Sequence, residues 1–319
     1  MEINTERLAE LEQTIDTLHP EKGAVPIKIL GFGEISLVFE LIEEGKVAYK
    51  RLPIFDSEKQ VKRHELAYNV YQRILKEKIG LRIPPQASAW FKTPRGSITL
   101  YCAQEKILPE SVGNKVIHQA SKQEVQLLVL LVMRELKKVW DFNIQNSKLK
   151  VGIDGQISNW SLIGYDPNNP SVKEDGKLLY LDTSTPMYRK NGIEAMEAVL
   201  FLKSAPSFLI WLLKALFLQE VVDRYYDWRL VTIDLIANFY KEQRSELIPG
   251  LVRTVNDFFA SEASDHQIEP FTVEEVHAYY QNDKMIWDIF QSARRMDRYI
   301  KTRIFRKKYD FYLPEKIKR

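Results

Sequence analysis

The chain carries one cysteine, Cys102, so no disulfide can close within it. Its N-terminus lacks the basic-then-apolar segment of an exported protein, and the two absences together point to a reducing, cytoplasmic setting. Long hydrophobic runs are missing too. The oiliest stretch, FLIWLLKALFL at 208–218, is interrupted by Lys214 and falls well short of the ~20 residues that cross a bilayer. A buried helix is expected there, and no transmembrane segment. The five histidines are scattered, with no HExxH and no Cys/His cluster, which argues against zinc. Gly-x-Ser-x-Gly is absent, so a triad hydrolase has no support. There is no internal repeat and no low-complexity tract, which excludes a solenoid and leaves no reason to expect disorder over most of the chain.

What is present is ordinary for a folded protein: 319 residues, 45% hydrophobic and 28% charged, enough for two domains or one domain with two lobes. The net charge of +3 conceals an asymmetry, because residues 294–319 hold eleven Lys/Arg against three Asp/Glu, a local +8 that leaves the rest near −5. Two readings of this basic tail stay open, a solvated helix face and a contact with an anionic surface, phosphate-rich or membrane. No specific nucleic-acid partner is expected.

Residues 4–18 place Leu8, Leu11, Ile15 and Leu18 on a helical stripe. A β-rich region follows, IKILGFGEISLVFELIEEGKVAYKRL, reading as strand, glycine turn, strand, EEGK turn and strand. Ser57 with Gln60 marks the start of a helix through about residue 77, and a second hairpin turns at TPRGS. Ser121 and Glu124 cap a long apolar helix, strand-like pairs surround 149–165, and residues 193–305 are mostly helix-patterned, with Thr272/Glu275 as a further capping box.

Several motifs bear on chemistry. GFGEISLV supplies Gly31, Gly33, Ser36 and Val38 at the spacing G-x-G-x-x-[G/S]-x-V, in which a hairpin turn without side chains can lie close over phosphates. The chain continues from it as a strand, so a Rossmann fingerprint does not fit. VAYK ends the next strand and sends the Lys50 ammonium back beneath that turn. Glu65, inside the predicted helix, can hold Lys50 by ion pairing, with Glu58 as the competing partner.

In their order and on these elements, the features resemble the protein-kinase-like fold, and the later ones are similar to its small-molecule branch, the aminoglycoside phosphotransferases and choline/ethanolamine kinases. The catalytic loop of that branch reads roughly H-x-D-x-[H/Q]-x-x-N, and GIDGQISN supplies Asp154, Gln156 and Asn159 at matching positions. The resemblance implies that Asp154 acts as the base on an acceptor hydroxyl, that Gln156 lies with the cofactor-binding residues, and that Asn159 and, after a short strand, Asp182 hold Mg²⁺. It also implies ATP as donor, with its adenine against YCAQEKIL, and a small-molecule alcohol as acceptor. Three departures stand beside it: Gly152 replaces the His before the base, Thr183-Ser184 replaces Phe-Gly after the metal Asp, and the connection from Asn159 to Asp182 is long.

Asp154-Gly155 between alternating apolar residues is equally a two-residue hairpin signal, which would put Asp154 at a turn tip with no chemistry. The expectation is therefore a bilobal α+β protein: an N-terminal helix at 1–19, a β-rich N-lobe with one main helix at 20–107, and a mostly helical C-lobe at 108–319 ending in the basic tail. It acts either as an ATP- and Mg²⁺-dependent small-molecule kinase or as a catalytically degenerate relative, a pseudokinase that binds nucleotide or a partner.

Overall fold

The structure is a computed structural model and describes residues 1–33, 36–93, 96–206, 210–211, 214, 218–307 and 309–313. Helix α1 (Thr5–Thr14) starts at Asn4, whose side chain accepts the Arg7 N–H. Leu8, Leu11 and Ile15 of its predicted stripe are buried, while Leu18 lies beyond the helix end and is exposed. Three runs rich in β-branched and aromatic residues follow as β1 (Ile27–Phe32), β2 (Leu37–Leu41) and β3 (Val47–Phe55). Helix α2 (Glu58–Arg73) is capped by Ser57 and runs on in wider turns to Ile79, where Gly80 ends it at a left-handed φ of 81°. With β4 (Gln86–Lys92) and β5 (Ile98–Glu105) the strands make one antiparallel sheet in the order β1-β2-β3-β5-β4. The turn between β4 and β5 includes Pro94 and Arg95, which fall outside the described residues.

The helical part is built on α3 (Gly113–Gln119) and α4 (Lys122–Gln145), the latter opened by the Ser121/Glu124 capping box. Leu128, Val129, Val132, Leu136 and Val139 of α4 are fully buried at the centre of the largest apolar cluster. Around it lie the short α5 (Gln219–Asp223), α6 (Trp228–Lys241), α7 (Ile248–Ala260) and the long α8 (Val273–Tyr299), which Thr272 and Glu275 cap as expected. Trp140 of α4 stacks on Trp228 of α6, with ring centres 5.4 Å apart. Between α4 and α5 the chain forms two small sheets. β6 (Leu149–Val151) pairs with β9 (Tyr188–Lys190), which also pairs with β10 (Ile193–Glu194), and β7 (Trp160–Leu162) pairs with β8 (Leu178–Tyr180). The chain is thus an α+β protein, with a small antiparallel β region first and a helical part after it. Among the described residues no helix is long and apolar enough to cross a membrane.

The strand period of two sends consecutive residues of β3 to opposite faces. Lys50 faces the helical part, whereas Arg51 faces α1 and meets the buried Glu12 there. Arg51 Nε donates to Glu12 Oε2 at 2.9 Å and its second terminal nitrogen to Oε1 at 2.6 Å, and the hydroxyls of Tyr101 and Thr99 complete the carboxylate's shell. Burial opposes ionisation of Glu12, but Arg51 and these hydroxyls outweigh it and hold the carboxyl below its usual range.

The basic tail is solvated only in part: Arg303, Arg306 and Lys307 are exposed, whereas the stretch after them returns to the sheet. Tyr309, Phe311 and Leu313 are buried against Leu52, Phe55 and Ile98 of the sheet. The Asp310 carbonyl accepts from Arg51 at 2.8 Å, the Tyr309 hydroxyl donates to the Ser204 carbonyl at 2.9 Å, and Arg294 is itself buried and donates to the Tyr312 carbonyl at 2.9 Å. The alternation of apolar with polar residues at 309–313 is strand-like, a pattern that the charge count masked. Residues 314–319 fall outside the described residues, as does most of the oily run 208–218. Of that run's described members Trp211 is 72% exposed, so the expected burial is not met at that position.

Because Arg51 stays charged and buried when its partner is removed, Glu12→Ala is expected to lower stability by about 3–5 kcal/mol in urea unfolding at neutral pH. The difference should shrink as the pH falls through the depressed Glu12 pKa, where the wild type loses the same charge. Equal unfolding midpoints at pH 7 would show that the pair contributes nothing.

Candidate active site

Strand register assembles the sheet side of the site. Gly31 is opposite Val38, Val38 opposite Lys50, Lys50 opposite Cys102 and Cys102 opposite Ser88, so one row crosses all five strands on the face turned to the helical part. The glycine turn is closed by the Gly33 N–H donating to the Ser36 carbonyl at 3.0 Å. Glu34 and Ile35 at its tip fall outside the described residues.

Lys50 does not pair with Glu65. Its ammonium donates to Asp182 Oδ1 at 3.0 Å across the cleft, with the two side chains 25% and 22% exposed. Glu65 instead accepts from the Ser88 hydroxyl at 2.7 Å, two strands away from Lys50 along the row. Glu58, the competing candidate, is taken by Lys62 and Lys92. The sequence spacing is right for a Lys–Glu pair, but a nearer carboxylate from the other half of the chain occupies the lysine.

Asp154 is not a hairpin tip. The strands on either side of it belong to different sheets, since β6 pairs with β9 and β7 with β8. Neither Asp154 nor Gly155 has the positive φ of a type I′ turn. The segment is drawn into the molecule instead. A Cβ on Gly155 would come within 2.7 Å of Val231 on α6, and one on Gly152 would meet the Tyr225 carbonyl at 3.0 Å and the Tyr226 ring at 3.2 Å. Gly152 thus makes room for Tyr225 and Tyr226, whose chain braces the loop: the Ile153 N–H donates to the Tyr225 carbonyl at 3.0 Å, and the Gly152 carbonyl accepts from the Tyr71 hydroxyl at 2.8 Å.

Asn159 and Asp182 become neighbours through the β7–β8 ladder. Trp160 is opposite Tyr180, and one step further the Leu181 N–H donates to the Asn159 carbonyl at 2.8 Å. The Asn159 amide reaches back to the Asp154 carbonyl at 3.3 Å, which ties all three candidate residues together. A carboxylate and an amide, hard oxygen donors side by side with a lysine across from them, suit Mg²⁺ and the phosphates it carries.

The two carboxyls are tuned in opposite senses. Burial raises the Asp182 pKa, but Lys50 and the Ser184 hydroxyl, 3.0 Å away, reverse that and hold it below the usual range. Asp154 is pushed up to about 7, first by burial and then by the charges of Asp234 and Asp182, against the bond it accepts from the Gln156 N–H and the Arg224 charge. A carboxyl poised there is matched to taking a proton from a hydroxyl.

Sequence reasoning missed Asp234. It is buried on α6 and accepts from the Gln156 amide at 3.1 Å, so the Gln156 side chain is spent on α6 rather than on a cofactor. An acid inside the apolar run VTIDLIA was the available signal. Asp227, at the start of the same helix, serves as its N-cap, accepting the Leu230 N–H at 3.0 Å. Also missed were the ties from α2 and β4 to the segment after Asp182. The His64 ring lies 3.2 Å from the Ser184 carbonyl, and Gln86 accepts from both Thr183 and Tyr68, at 2.7 and 2.9 Å. Burial, with Lys50 nearby, drives the His64 pKa down to about 4, so the ring is neutral at pH 7.

Two solved structures are similar to this chain. One is WaaP in complex with acyl carrier protein, at 13% identity, covering 64% of this chain and 90% of that one with a TM-score of 0.34. The other is the GDP complex of wild-type aminoglycoside 2'-phosphotransferase-IIIa, at 11% identity, covering 74% and 93% with a TM-score of 0.31. The fold described above rests on this chain's own sheet order and pairings. No curated protein matches the sequence. Residues 10–298 match DUF6206, a family of unknown function, and the chain belongs to that family.

Proposed function

We propose that the chain is a phosphotransferase that moves the γ-phosphoryl group of ATP to a hydroxyl of a small molecule. The observation that supports this most is the convergence of Lys50, Asp154, Asn159 and Asp182, from three separate stretches, on the face of the sheet that carries the glycine turn. In this reading Lys50 exchanges its bond to Asp182 for the nucleotide phosphates. Asp154 orients the acceptor hydroxyl and takes its proton as the new O–P bond forms and the bond to ADP breaks. Asn159 and Asp182 would hold Mg²⁺, which neutralises phosphate charge when bound. Gly31 and Gly33 leave the approach over the phosphates clear of side chains.

One observation favours a second reading, a nucleotide-binding protein without transfer. Glu65 is bonded to Ser88, so the Lys–Glu pair that active kinases of this fold require is not made. A screen of small alcohols with labelled ATP separates the two readings.

Transfer is expected with the wild type, and Asp154→Asn should lower it by about 10²–10⁴-fold while leaving the stabilisation by ATP and Mg²⁺ intact. Stabilisation without any transfer would leave only the binding reading. Asp182→Asn should remove the Mg²⁺-dependent part of the ATP thermal shift, which mass action ties to affinity; an unchanged shift would remove Asp182 from the metal site. Asp154 has its pKa raised, so its charge destabilises the free protein progressively from about pH 4 to its folded value of about 7. Asp154→Asn should therefore be more stable than the wild type at pH 8 and not at pH 4, as read by thermal unfolding.

A further inference from the structure

The outward face of α8 carries aligned apolar residues among Gln281, Asp288 and Ser292, where a surface helix is normally polar throughout. Met285, Ile289, Met296 and Tyr299 are 38% to 62% exposed, and at 3.6 residues per turn they fall within a wedge of about 80°. The opposite side of the helix is buried through Arg294 and Asp297. A shallow groove of about 650 Å³ runs along the stripe. Ile304 and Phe305, just past the helix end, are 61% and 62% exposed. Single exposed apolar residues are unremarkable, but an aligned set is not.

The charges at the C-terminal end of this stripe are mostly cationic, whereas Asp288 lines the groove further back. Residues 295–307 include Arg295, Arg298, Lys301, Arg303, Arg306 and Lys307 against Asp297 alone, and Asp297 is already paired with Lys301 at 2.7 Å. Arg303, Arg306 and Lys307 are exposed and form no ion pair among the described residues. The turn that presents them is held at both ends. The Phe305 N–H donates to the Ile300 carbonyl at 3.0 Å and the Lys307 N–H to the Lys301 carbonyl at 2.7 Å, and Tyr309, two residues on, is buried against the sheet. Little ordering cost therefore remains for a surface to supply on contact.

We infer that this end of the molecule docks on the surface of an anionic phospholipid membrane. Phe305, Ile304 and the end of the α8 stripe enter the boundary between headgroups and acyl chains, and the cationic collar reaches the lipid phosphates along flexible stems. A nucleic acid would satisfy the cations but leave Ile304 and Phe305 in water, and it is the weaker fit for that reason. Attachment is peripheral. It does not involve Asp154 or the cleft, so it stands or falls separately from the proposed chemistry.

Flotation of the full chain with vesicles tests the inference. The wild type should float with phosphatidylcholine–phosphatidylglycerol vesicles and remain behind with pure phosphatidylcholine or in high salt. The triple variant R303S/R306S/K307S should lose on the order of 100-fold in partitioning. The double variant I304S/F305S should also stop floating, with thermal unfolding unchanged in both, while D154N floats like the wild type. Absence of flotation, or equal binding to neutral vesicles, overturns the proposal. Loss in the triple variant with no effect of I304S/F305S would mean a general polyanion contact and would overturn it as well. So would a dimer in size-exclusion chromatography that I304S/F305S and M285S/I289S dissociate, since the face would then be covered by a second copy.

Discussion

One ion pair, Lys50 with Asp182, sets the geometry of the cleft. Two groups 3.0 Å apart, each about three-quarters withdrawn from water, must stay paired or be met by other charges, because an unpaired ion at that depth is costly. Lys50 can reach Asp182 only if β3 shows its even-numbered side chain to the helical part, which fixes the register of the whole row from Gly31 to Ser88. Asp182 can be there only if β8 pairs with β7, and the same pairing delivers Asn159. The electrostatics of the remaining residues follow. The lysine depresses the Asp182 pKa, while Asp154 is raised by burial and by Asp234 and Asp182 despite the Arg224 charge, so two acids in one cleft take opposite protonation behaviour.

A second constraint acts further along the same face of the sheet. The face of β3 and β5 that carries Leu52, Phe55 and Ile98 is covered by α2 together with Leu200 from the segment after β10 and by Tyr309, Phe311 and Leu313 from the chain end. Glu12 and Arg51 hold α1 on the other side of β3, and Arg51 also holds the Asp310 carbonyl. The sheet is therefore fastened to the helical part not only by the connector after β5 but also by two later stretches of chain. Motion between the two parts must strain these fastenings, so α2, with His64 and Tyr71 on the cleft loops, is held close to the site by packing as well as by its own polar ties.

The elements were legible because their causes are local. Ser57, Ser121 and Thr272 cap helices with residues three positions away, and the glycine turn and EEGK turn separate strands whose composition already favours them. The site was legible in part. Asp154, Asn159 and Asp182 were singled out through the resemblance of their segments to a kinase-like catalytic loop, and their meeting depends on two short ladders that the strand patterns announced. The Gly152 departure, which weakened the resemblance, has a packing reason in Tyr225 and Tyr226, some seventy residues away. Glu65 was misjudged as the partner of Lys50 because spacing reports which side chains could meet and not which of several acids is nearest.

By itself the sequence determined the periodicities, caps and turns, and hence an antiparallel sheet followed by helices, since each depends on residues within a few positions of one another. Tertiary structure alone decided the partner of Lys50, the reach of Gln156 to Asp234, and the return of Tyr309–Leu313 to the sheet. Those choices depend on which distant surfaces come into contact and on what water is excluded there. Neither spacing nor composition contains that information, because burial and the strength of a charge pair are properties of the assembled interior.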